Sequence, residues 1–422
     1  MSQISRAPQT LAPFASLILA TSILLIGNGL QGTLIPVRGN MEAFSTLTLG
    51  LIGAAYFAGF MAGCIKGATI VKRVGHIRSF AAFASIASAV PLVHLLWFDP
   101  IAWGLLRAVS GFCFAGLFMV IESWLNEQAS NEHRGGLFST YLIFNFIAIT
   151  VGQLLLNVAS PGEVTLFIVA SILTSVALVP IALTQSVQPG PVQSVTVDLK
   201  KLYRISPVGA VGCFVVGLTN GPFWSLGPVF AQNNGLDIKG ISFFMTLAIL
   251  GGAAAQWPLG RLSDRIDRRW VMVGQSGLAV MGGGALVTAS LFDGEGLLLG
   301  AATLFGASAL SLYGICVAHA NDQAGPEDFV VMSAGLLLAF AVGAILGPLA
   351  VSVAAPFFGL AVVFFFTAAT HFGFMIFVVY RIWQRAALPP EVRRGFTPVP
   401  ISRTGPTPLE LDPRAELPIQ KL

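Results

Sequence analysis

The clearest indication of the fold is the stretch Gly260-Arg261-Leu262-Ser263-Asp264-Arg265-Ile266-Asp267-Arg268-Arg269. Six of its ten residues are charged, whereas charged residues make up only 10% of the 422-residue sequence. Apolar runs of about twenty residues lie on both sides of it, and that is the length a helix needs to cross a lipid bilayer. A short cluster of both charge signs between two such runs indicates a connection where the chain leaves the membrane and re-enters it.

The composition of the whole chain agrees with a membrane environment. Hydrophobic residues make up 55% of the sequence, whereas a soluble domain carries about a quarter charged residues to cover its surface. The 46 glycines favour closely packed transmembrane helices, because small residues let helices approach each other. A soluble globular protein is therefore excluded, and we expect lipid to cover most of the outer surface.

Cofactors, metals and nucleic acid are not expected as partners. The four cysteines all lie in apolar runs, without CxxC spacing or a neighbouring histidine set, which is typical of thiols that pack as small hydrophobic side chains. The net charge of +4 comes from basic residues at the ends of apolar runs rather than on one face. The sequence shows no Ser/His/Asp set and no HExxH motif, so an enzyme is not predicted.

Twelve apolar runs are long enough to span a bilayer, and they divide into two sets of six. We therefore predict an all-α membrane protein with twelve transmembrane helices in two pseudo-symmetric six-helix bundles. The predicted units are an N-terminal bundle (1–184), a cytoplasmic inter-bundle loop (185–206), a C-terminal bundle (207–381) and a disordered, Pro-rich cytoplasmic tail (382–422). The spans are predicted near residues 13–36, 44–70, 79–97, 101–125, 136–160, 163–184, 207–231, 240–262, 270–291, 296–318, 329–354 and 357–381.

Lysine and arginine predict the orientation of the helices. One set of connections is rich in basic residues, whereas the opposite set contains only Arg38 and Lys239. Connections rich in Lys and Arg stay on the cytoplasmic side, so both termini are predicted to be cytoplasmic. The expected location is the bacterial inner membrane, with lipid as the surrounding partner, and the chain is expected to act as a monomer.

An internal repeat relates the two halves. Asn126-Glu127-Gln128-Ala129 and Asn321-Asp322-Gln323-Ala324 occupy equivalent connections, and a glutamate follows each at the same distance. The offset is 195 residues (126 to 321), and it also relates Gly152 to Gly347. A common register over a loop and the following helix indicates a duplicated six-helix unit. Transporters built from such repeats place their substrate path between the halves, near the membrane midplane.

The stretch Gly260–Arg269 resembles the signature G-x-L-x-D-R-x-G-R-R of the major facilitator superfamily, with Asp267 where the family carries glycine. Such a cluster can latch neighbouring helix ends, and breaking this latch would bias which side of the protein is open. The alternative is an anchor that only sets the topology. The predicted gate residues of the second half are Gly260, Asp264, Arg265, Arg268 and Arg269.

The first-half copy departs from this signature. It has Lys72-Arg73-Val74-Gly75 where the family has Asp-Arg-x-Gly, so Lys72 takes the place of the acid. Lys72 and Arg73 are still predicted as gate residues, but this half cannot make the same carboxylate contact.

Further motifs narrow the resemblance. Leu106-Arg107-Ala108-Val109-Ser110-Gly111 resembles the R-x-x-x-G pattern of the superfamily's fourth span. With Tyr56-Phe57-Ala58-Gly59 and Gln256-Trp257-Pro258-Leu259-Gly260, it makes the chain similar to the YcaD-type bacterial branch over about residues 13–381. The resemblance implies a secondary active transporter of a small organic solute, driven by the proton motive force. The alternatives are an uncoupled facilitator and a non-transporting membrane sensor or platform.

The fourth predicted span contains two charged residues, Arg107 and Glu122. Arg107 is interpreted as a residue that orients the substrate or modulates a coupled proton, and the alternative is a side chain that extends to the lipid headgroups. Glu122 is the candidate for proton coupling, because a carboxyl group inside the membrane can carry a proton. Its alternative role is that of a structural partner for Arg73 or Arg134.

Polar side chains at mid-span depth outline a candidate substrate path. Amide and indole groups suit a neutral or zwitterionic organic solute that is held by hydrogen bonds and stacking. Each of them could equally serve to join two helices. The predicted path residues are Asn28, Gln31, Arg107, Asn145, Gln153, Asn220, Trp224, Gln256 and Tyr313.

Overall fold

The structure is a computed structural model that describes residues 12–128, 134–183, 198–292, 294–325 and 328–387, together with Pro389, Arg393, Gly395 and Phe396. The described part contains fifteen α-helices. A 3₁₀ turn, Leu155–Val158, follows the fifth helix, and a π-helical turn, Gly306–Leu310, joins the twelfth to the thirteenth. The helices are α1 (Ala12–Met41), α2 (Thr46–Val74), α3 (His76–Leu96), α4 (Pro100–Gln128), α5 (Arg134–Leu154), α6 (Thr165–Val176), α7 (Leu178–Ala182), α8 (Leu199–Ile205), α9 (Pro207–Asn233), α10 (Ile238–Arg265), α11 (Arg268–Ala289), α12 (Glu295–Phe305), α13 (Leu312–Asp322), α14 (Phe329–Phe358) and α15 (Val362–Gln384).

Eleven helical segments are each long and apolar enough to cross a membrane, and α8 with α9 forms a twelfth when this bent pair counts as one span. The axis of α8 lies at 118° to that of α9, so α8 does not continue the direction of α9. The helices α6 and α7 form one span, Thr165–Ala182, and α12 and α13 form another, Glu295–Asp322. The twelve predicted spans therefore correspond to helices of the structure, in the predicted order.

Parts of the predicted inter-bundle loop and tail are helical. Residues 185–197 of the predicted inter-bundle loop lie outside the described residues, and α8 occupies most of the remainder. The helix α15 continues to Gln384, past the predicted start of the tail at residue 382. Most of the tail, and parts of the repeated connections at 126–132 and 321–327, also lie outside the described residues.

Side-chain caps explain why several helices begin where they do. Asp237 accepts a hydrogen bond from the Gly240 amide at 2.8 Å at the start of α10. Ser206 accepts one from the Gly209 amide at 3.3 Å at the start of α9, and Pro207 takes the first helical position, where a missing N–H is tolerated. Each cap satisfies an amide that has no partner within its helix, so successive spans can follow one another through short connections.

Close packing between helices repeats in the two halves. In the first half, Gly59 of α2 lies so close to the Ala108 carbonyl of α4 that a Cβ would not fit. In the second half, Gly251 of α10 makes the same approach to the Thr303 carbonyl of α12. The offset is 192 residues for the glycines (59 to 251) and 195 for the carbonyls (108 to 303). The two halves are therefore pseudo-symmetric, with a slightly longer segment between α10 and α12.

The same relation holds for a second pair of helices. Gly152 of α5 lies against the Ile26 carbonyl of α1, and Gly347 of α14 lies against the Leu218 carbonyl of α9. The offsets are again 192 (26 to 218) and 195 (152 to 347). The match of Gly152 with Gly347 in the sequence thus has a structural counterpart, and α1 and α9 occupy equivalent positions.

Hydrogen bonds join the two halves at one end of the molecule. We call the end that carries the α10–α11 connection the basic end, and the other end the opposite end. At the opposite end, Asn40 of α1 donates to the side chains of Gln232 at 2.9 Å and Asn233 at 3.1 Å, both of α9. Ser242 of α10 donates to the Gln153 carbonyl of α5 at 2.8 Å. We call these contacts the clasp.

Glycines bring α2 against the second half beside the clasp. A Cβ on Gly50 would lie 2.6 Å from Ser352 Oγ and 2.9 Å from the Pro348 carbonyl oxygen. A Cβ on Gly53 would lie 2.9 Å from Ser225 Oγ and closer still to Ser225 Cβ. Real Cβ atoms essentially never approach other heavy atoms within 3.0 Å. The halves are therefore held together at the opposite end by surfaces that only glycine allows to meet.

Candidate functional site

A cavity lies between the two halves, next to the clasp. Its wall combines aromatic rings, one guanidinium group and apolar side chains from α1, α2, α4 and α9. Because α1 and α9 are pseudo-symmetric, this is the kind of interface where repeat-built transporters bind substrate. The lining residues are Gly32, Ile35, Pro36, Leu49, Ile52, Gly53, Tyr56, Phe57, Arg107, Trp224 and Ser225.

Arg107 is placed in the cavity wall by an aromatic ring. Its side chain is buried, and its guanidinium carbon lies 4.3 Å from the centroid of the Tyr56 ring. The Tyr56 hydroxyl in turn donates to Asn28 Oδ1 at 3.4 Å. A cation over an aromatic face is stabilised by about 0.5–2 kcal/mol, so the ring holds the guanidinium group in place. Arg107 thus faces the cavity and does not extend to the lipid headgroups.

Three of the predicted amides, Gln31, Asn145 and Asn220, are buried without a bonded partner among the described residues. Gln31 is 1% exposed and Asn220 is 0% exposed, and neither amide group has a hydrogen-bond partner among the described residues. An unpaired buried polar group costs about 1–3 kcal/mol, so such groups are uncommon. Asn28 and Asn220 are related by the offset of 192 (28 to 220) that relates α1 to α9. The two central helices therefore bury amide groups that have no bonded partner, although neither Gln31 nor Asn220 is among the residues that line the cavity.

Gln153 is bonded inside the first half, and Asn145 is not. The Gln153 side chain donates to the Gly29 carbonyl at 2.9 Å and is also bonded to Thr33 Oγ1, so it joins α5 to α1. Asn145 is also buried, but neither polar atom of its amide has a hydrogen-bond partner among the described residues. The geometry of Gln153 fits the alternative that the sequence left open, in which a polar side chain joins two helices.

The remaining path candidates belong to the second half, and all three are buried: Trp224, Gln256 and Tyr313. Trp224 lies edge-on to Phe223, with 5.3 Å between ring centroids, and Tyr313 lies edge-on to Phe340 at 5.5 Å. Edge-to-face contacts are a preferred arrangement of aromatic pairs, so packing orients both rings. Of the three, Trp224 lines the cavity described above.

Glu122 is fully buried in α4. The Tyr141 hydroxyl of α5 donates to Glu122 Oε1 at 3.0 Å. Arg73 is exposed at the basic end, and the side chain of Arg134 lies outside the described residues. One partner of the carboxyl group is therefore a neutral hydroxyl, which can donate to it whether or not the acid carries a proton.

Arg268 is the centre of the predicted latch. Its side chain is 1% exposed and donates to Asp322 Oδ2 of α13 at 2.7 Å and to Ser263 Oγ at 2.7 Å. Asp264 is more distant, with Oδ1 3.3 Å from Arg268 Nη1. A buried ion pair fixes its partners, because breaking it leaves a charge without compensation. Asp322, which sequence reasoning did not place in the latch, is therefore the principal acid, and the pair joins α11 to α13.

Asp267 has a role that the glycine of the family signature cannot have. It caps α11 by accepting from the Arg269 amide at 3.0 Å, and its Oδ2 lies 2.6 Å from Arg269 Nη2. Burial would raise the pKa of Asp267, but the hydrogen bonds and positive charge of Arg269 hold it below its ordinary value. Arg269 also donates to the Arg385 carbonyl at 2.7 Å, beyond the last turn of α15, where unpaired carbonyls attract cations. Arg269 thus ties α11 to α15.

The first half carries a neutral counterpart of the latch. Lys72 and Arg73 are exposed at the end of α2. His76 stands at the position equivalent to Arg268, at the offset of 192 (76 to 268), and its Nε2 lies 3.0 Å from Ser123 Oγ of α4. This contact joins α3 to α4 without an ion pair. The repeat seen in the sequence has an offset of 195 residues, whereas the first helices of the two halves are related by an offset of 192. The sequence repeat therefore does not identify His76 as the counterpart of Arg268.

A π-helical turn in the tenth span is a further feature that the apolar pattern does not predict. At this turn, Gln275 of α11 donates to the Ser308 carbonyl at 3.0 Å and to Ser311 Oγ at 2.6 Å. The wider turn releases carbonyl groups from the helix and is frequent at functional sites. Its only signal in the sequence is the run of small residues around Gly306.

No metal centre is formed by the part of the chain that the structure describes. Within those residues, no group of three or more His, Cys, Asp or Glu side chains is placed to hold a metal ion. The four cysteines are free thiols. The candidate site consists of a largely apolar and aromatic cavity between the halves, which Arg107 faces, and a charged latch at the basic end.

Known proteins are similar to this chain in sequence. The profile of the Major Facilitator Superfamily matches residues 17–208 and 209–412. The chain is 28% identical over 342 residues to the MFS-type transporter YcaD of Escherichia coli O17:K52:H18 (strain UMN026 / ExPEC), which covers 80% of this chain and 87% of that protein. It is 27% identical over 343 residues to the YcaD protein of Shigella sonnei (strain Ss046), with the same coverage. The resemblance to the YcaD-type branch is confirmed.

Solved transporter structures share the fold. The nucleoside transporter NupG superposes with a TM-score of 0.73 at 12% identity, over 87% of this chain and 98% of that one. An auto-inhibited peptide transporter of the POT family gives 0.72 at 12% identity, over 93% and 100%. A bacterial homologue of the human lysosomal transporter Spinster, inward-facing and occupied, gives 0.68 at 15% identity, over 87% and 94%. The all-α, two-bundle fold is confirmed, and the chain belongs to the Major Facilitator Superfamily.

Proposed function

We propose that this chain is a secondary active transporter that moves a small organic solute across the membrane by alternating access. The observation that carries the proposal is the cavity between the pseudo-symmetric helices α1 and α9, whose wall includes Tyr56, Arg107 and Trp224. The clasp supports it, because alternating access requires one end of this cavity to be closed while the other is open.

The proposed cycle moves the two halves relative to each other about the cavity. In the described conformation, the clasp and the contacts of Gly50 and Gly53 close the opposite end. Opening that end requires α2 to separate from α9 and α14, and the basic ends of the halves must then approach each other. The contacts of Arg268 and Arg269 keep α11, α13 and α15 together as one unit during this movement.

We propose that the basic end faces the cytoplasm of a bacterial cell and that the protein lies in the inner membrane, because basic connections remain inside. In this orientation both termini are cytoplasmic, and the described conformation is closed towards the outside. The proposed units are bundles at 1–184 and 207–381, an inter-bundle loop at 185–206 and a tail at 382–422. One chain supplies both walls of the cavity, which supports a monomer as the working unit.

Glu122 is the proposed site of proton coupling. Carboxyl groups inside membrane proteins mark proton and ion pathways, because a charge there is costly to keep. Glu122 is fully buried, and the Tyr141 hydroxyl can donate a hydrogen bond to its carboxyl group in either protonation state. Gaining or losing the proton changes the charge of the first half, and this can bias the equilibrium between the two conformations.

The proposed substrate is a neutral or zwitterionic solute that combines an apolar or planar part with polar groups. The amides of Gln31 and Asn220 offer donors and acceptors, and the Trp224 ring can stack on a planar group. The Arg107 guanidinium group can bind the anionic group of a zwitterion. A nucleoside transporter and a peptide transporter share the fold, and their substrates have this mixed character.

The test begins with a thermal-shift screen of neutral and zwitterionic solutes on the purified protein, because a bound ligand raises the unfolding midpoint. Flux of any ligand found is then measured in proteoliposomes with and without a proton gradient. Glu122→Gln should remove the dependence of flux on the gradient, whereas Glu163→Gln, at an exposed acid, should leave it intact. If the flux through the parent protein does not depend on the proton gradient, the protein is an uncoupled facilitator. Ligands that bind without any flux would favour a sensor or platform.

A further inference from the structure

A short part of the C-terminal tail lies against the α10–α11 connection. The Phe396 amide donates to Asp264 Oδ1 at 2.8 Å. Arg393 Nη1 donates to the Ile266 carbonyl at 2.8 Å. The Phe396 side chain is partly buried and packs against the hydrophobic core. The tail thus contacts the signature stretch through one backbone group and two side chains.

The Phe396 ring occupies a space that exists because residue 260 is glycine. A Cβ on Gly260 would lie 2.8 Å from Phe396 Cγ and closer still to the ring edge. An alanine at this position and the docked ring therefore exclude each other. The space is a notch in the surface of α10 that matches an aromatic side chain.

Of the two acids that contact Arg268, Asp264 and Asp322, Asp264 is the one that binds the tail. Arg268 makes its shorter contacts with Asp322 and Ser263, both at 2.7 Å, and its contact with Asp264 is 3.3 Å. Asp264 is also the more exposed of the two acids, at 37% against 2% for Asp322. A carboxylate that is only partly compensated is a strong acceptor for an amide N–H.

The notch lies on the face of α10 that meets the other half. Gly260 follows Ser242 by 18 residues (242 to 260), and five turns of 3.6 residues make the same number. Ser242 contacts α5 of the first half through the Gln153 carbonyl. When the basic ends approach each other, the Gly260 face of α10 must therefore come towards α5, and Phe396 stands in that space.

We propose that the tail residues Arg393, Gly395 and Phe396 act as an intramolecular brake, which docks on the α10–α11 connection while the opposite end is clasped and must leave before the basic end can close. The proposal rests on the alternating access proposed above. The docked segment stabilises the clasped conformation, and its release permits the other one. The brake acts on the conformational equilibrium and not on the substrate site.

The test measures the distance between spin labels at the basic end, in the full-length protein without its native cysteines. Val74 of α2 and Trp270 of α11 are exposed and suit labelling. Phe396→Ala and Gly260→Ala should each raise the ratio of the closed to the open population about tenfold, because displacing the segment removes at least one hydrogen bond to a carboxylate. Combining both changes should give no further increase. Gly274→Ala is the matched control, since a Cβ there meets nothing within 4 Å.

Unchanged populations in Phe396→Ala would overturn the brake, and so would additive effects of the two variants, because Gly260 would then act independently of the tail. A chain truncated after residue 392 provides a second test that does not depend on the folding of the point variants. It should reproduce the shift, and a synthetic peptide of residues 389–402 should reverse it; failure of either overturns the brake. A single distance population in the parent and every variant would overturn alternating access itself, whereas two populations in unchanged proportion would overturn the brake alone.

Discussion

Replacing Gly53 with alanine should weaken the closure of the opposite end without removing a polar group from the cavity. The new Cβ would lie 2.9 Å from Ser225 Oγ and closer to Ser225 Cβ. Ser225 Cβ is bonded directly to the backbone and cannot rotate away, so the backbone of α2 or α9 must move to relieve the overlap. That movement also opposes the approach of Gly50 to Ser352, one turn away on α2.

The size of the effect follows from where the overlap exists. Overpacking of this kind costs about 1–3 kcal/mol, and the cost falls only on the clasped conformation, since α2 and α9 separate in the other. Alanine also favours a helix over glycine by about 1 kcal/mol, but α2 is helical in both conformations and this gain cancels. The equilibrium should therefore shift by about 5- to 150-fold towards the conformation that is open at the opposite end.

Double electron–electron resonance measures this shift directly. Spin labels at Leu47 of α2 and Lys239 of α10, both exposed at the opposite end, should report a short distance when the clasp is formed and a longer one when it is open. Gly104→Ala serves as the control, because a Cβ on Gly104 meets nothing within 4 Å. It should leave the distance distribution of the parent protein unchanged.

The reasoning would be refuted by a Gly53→Ala protein that unfolds cooperatively and keeps the parent distribution. In that case the glycine contacts would not contribute to the closure of the opposite end. A shift of equal size in Gly104→Ala would also contradict it, because the cause would then be a general effect of replacing glycine in a helix.

Two further predictions concern the latch. Asp322→Asn leaves the buried Arg268 without its principal counter-charge and should destabilise the protein by about 3–5 kcal/mol, measured as a lower midpoint of thermal unfolding. The control is Asp328→Asn, whose partner Lys201 is at the surface, and it should cost less than about 1 kcal/mol. Equal losses in the two variants would contradict the assignment of Asp322 as the principal acid of the latch. Asp267→Asn should lower the unfolding midpoint at pH 7. Because the pKa of Asp267 is held below its ordinary value, the stabilisation that the Asp267 carboxylate gives is complete above about pH 5 and is lost as the pH falls below about 4. The difference in unfolding midpoint between parent and variant should therefore shrink below about pH 4. A difference that stays constant with pH would show that the charge of Asp267 is not its cause.

The architecture could be predicted from the sequence because the membrane leaves few choices. Every backbone group in the hydrocarbon region must be satisfied within its own helix, so long apolar runs determine both the number and the type of the elements. The duplication could also be predicted from the sequence, because the match of Gly152 with Gly347 reflects a close contact between helices that both halves contain.

The position of a polar residue within a span does not reveal which neighbour it meets. Gln153 and Gln31 are both amides within spans of the first half, yet Gln153 joins α5 to α1 while Gln31 has no bonded partner among the described residues. Helix periodicity places a side chain on a face, but the neighbour at that face depends on how all the helices pack.

The membrane fold, its two related halves and the charged stretch around Asp264 can all be predicted from the sequence. The contact of Arg268 with Asp322 of a distant helix, and the docking of Phe396 over Gly260, are visible only in the folded protein. Contacts between residues far apart in the chain depend on the relative placement of whole helices. That placement is set by close packing at positions such as Gly53 and Gly59, and no local pattern in the sequence encodes it.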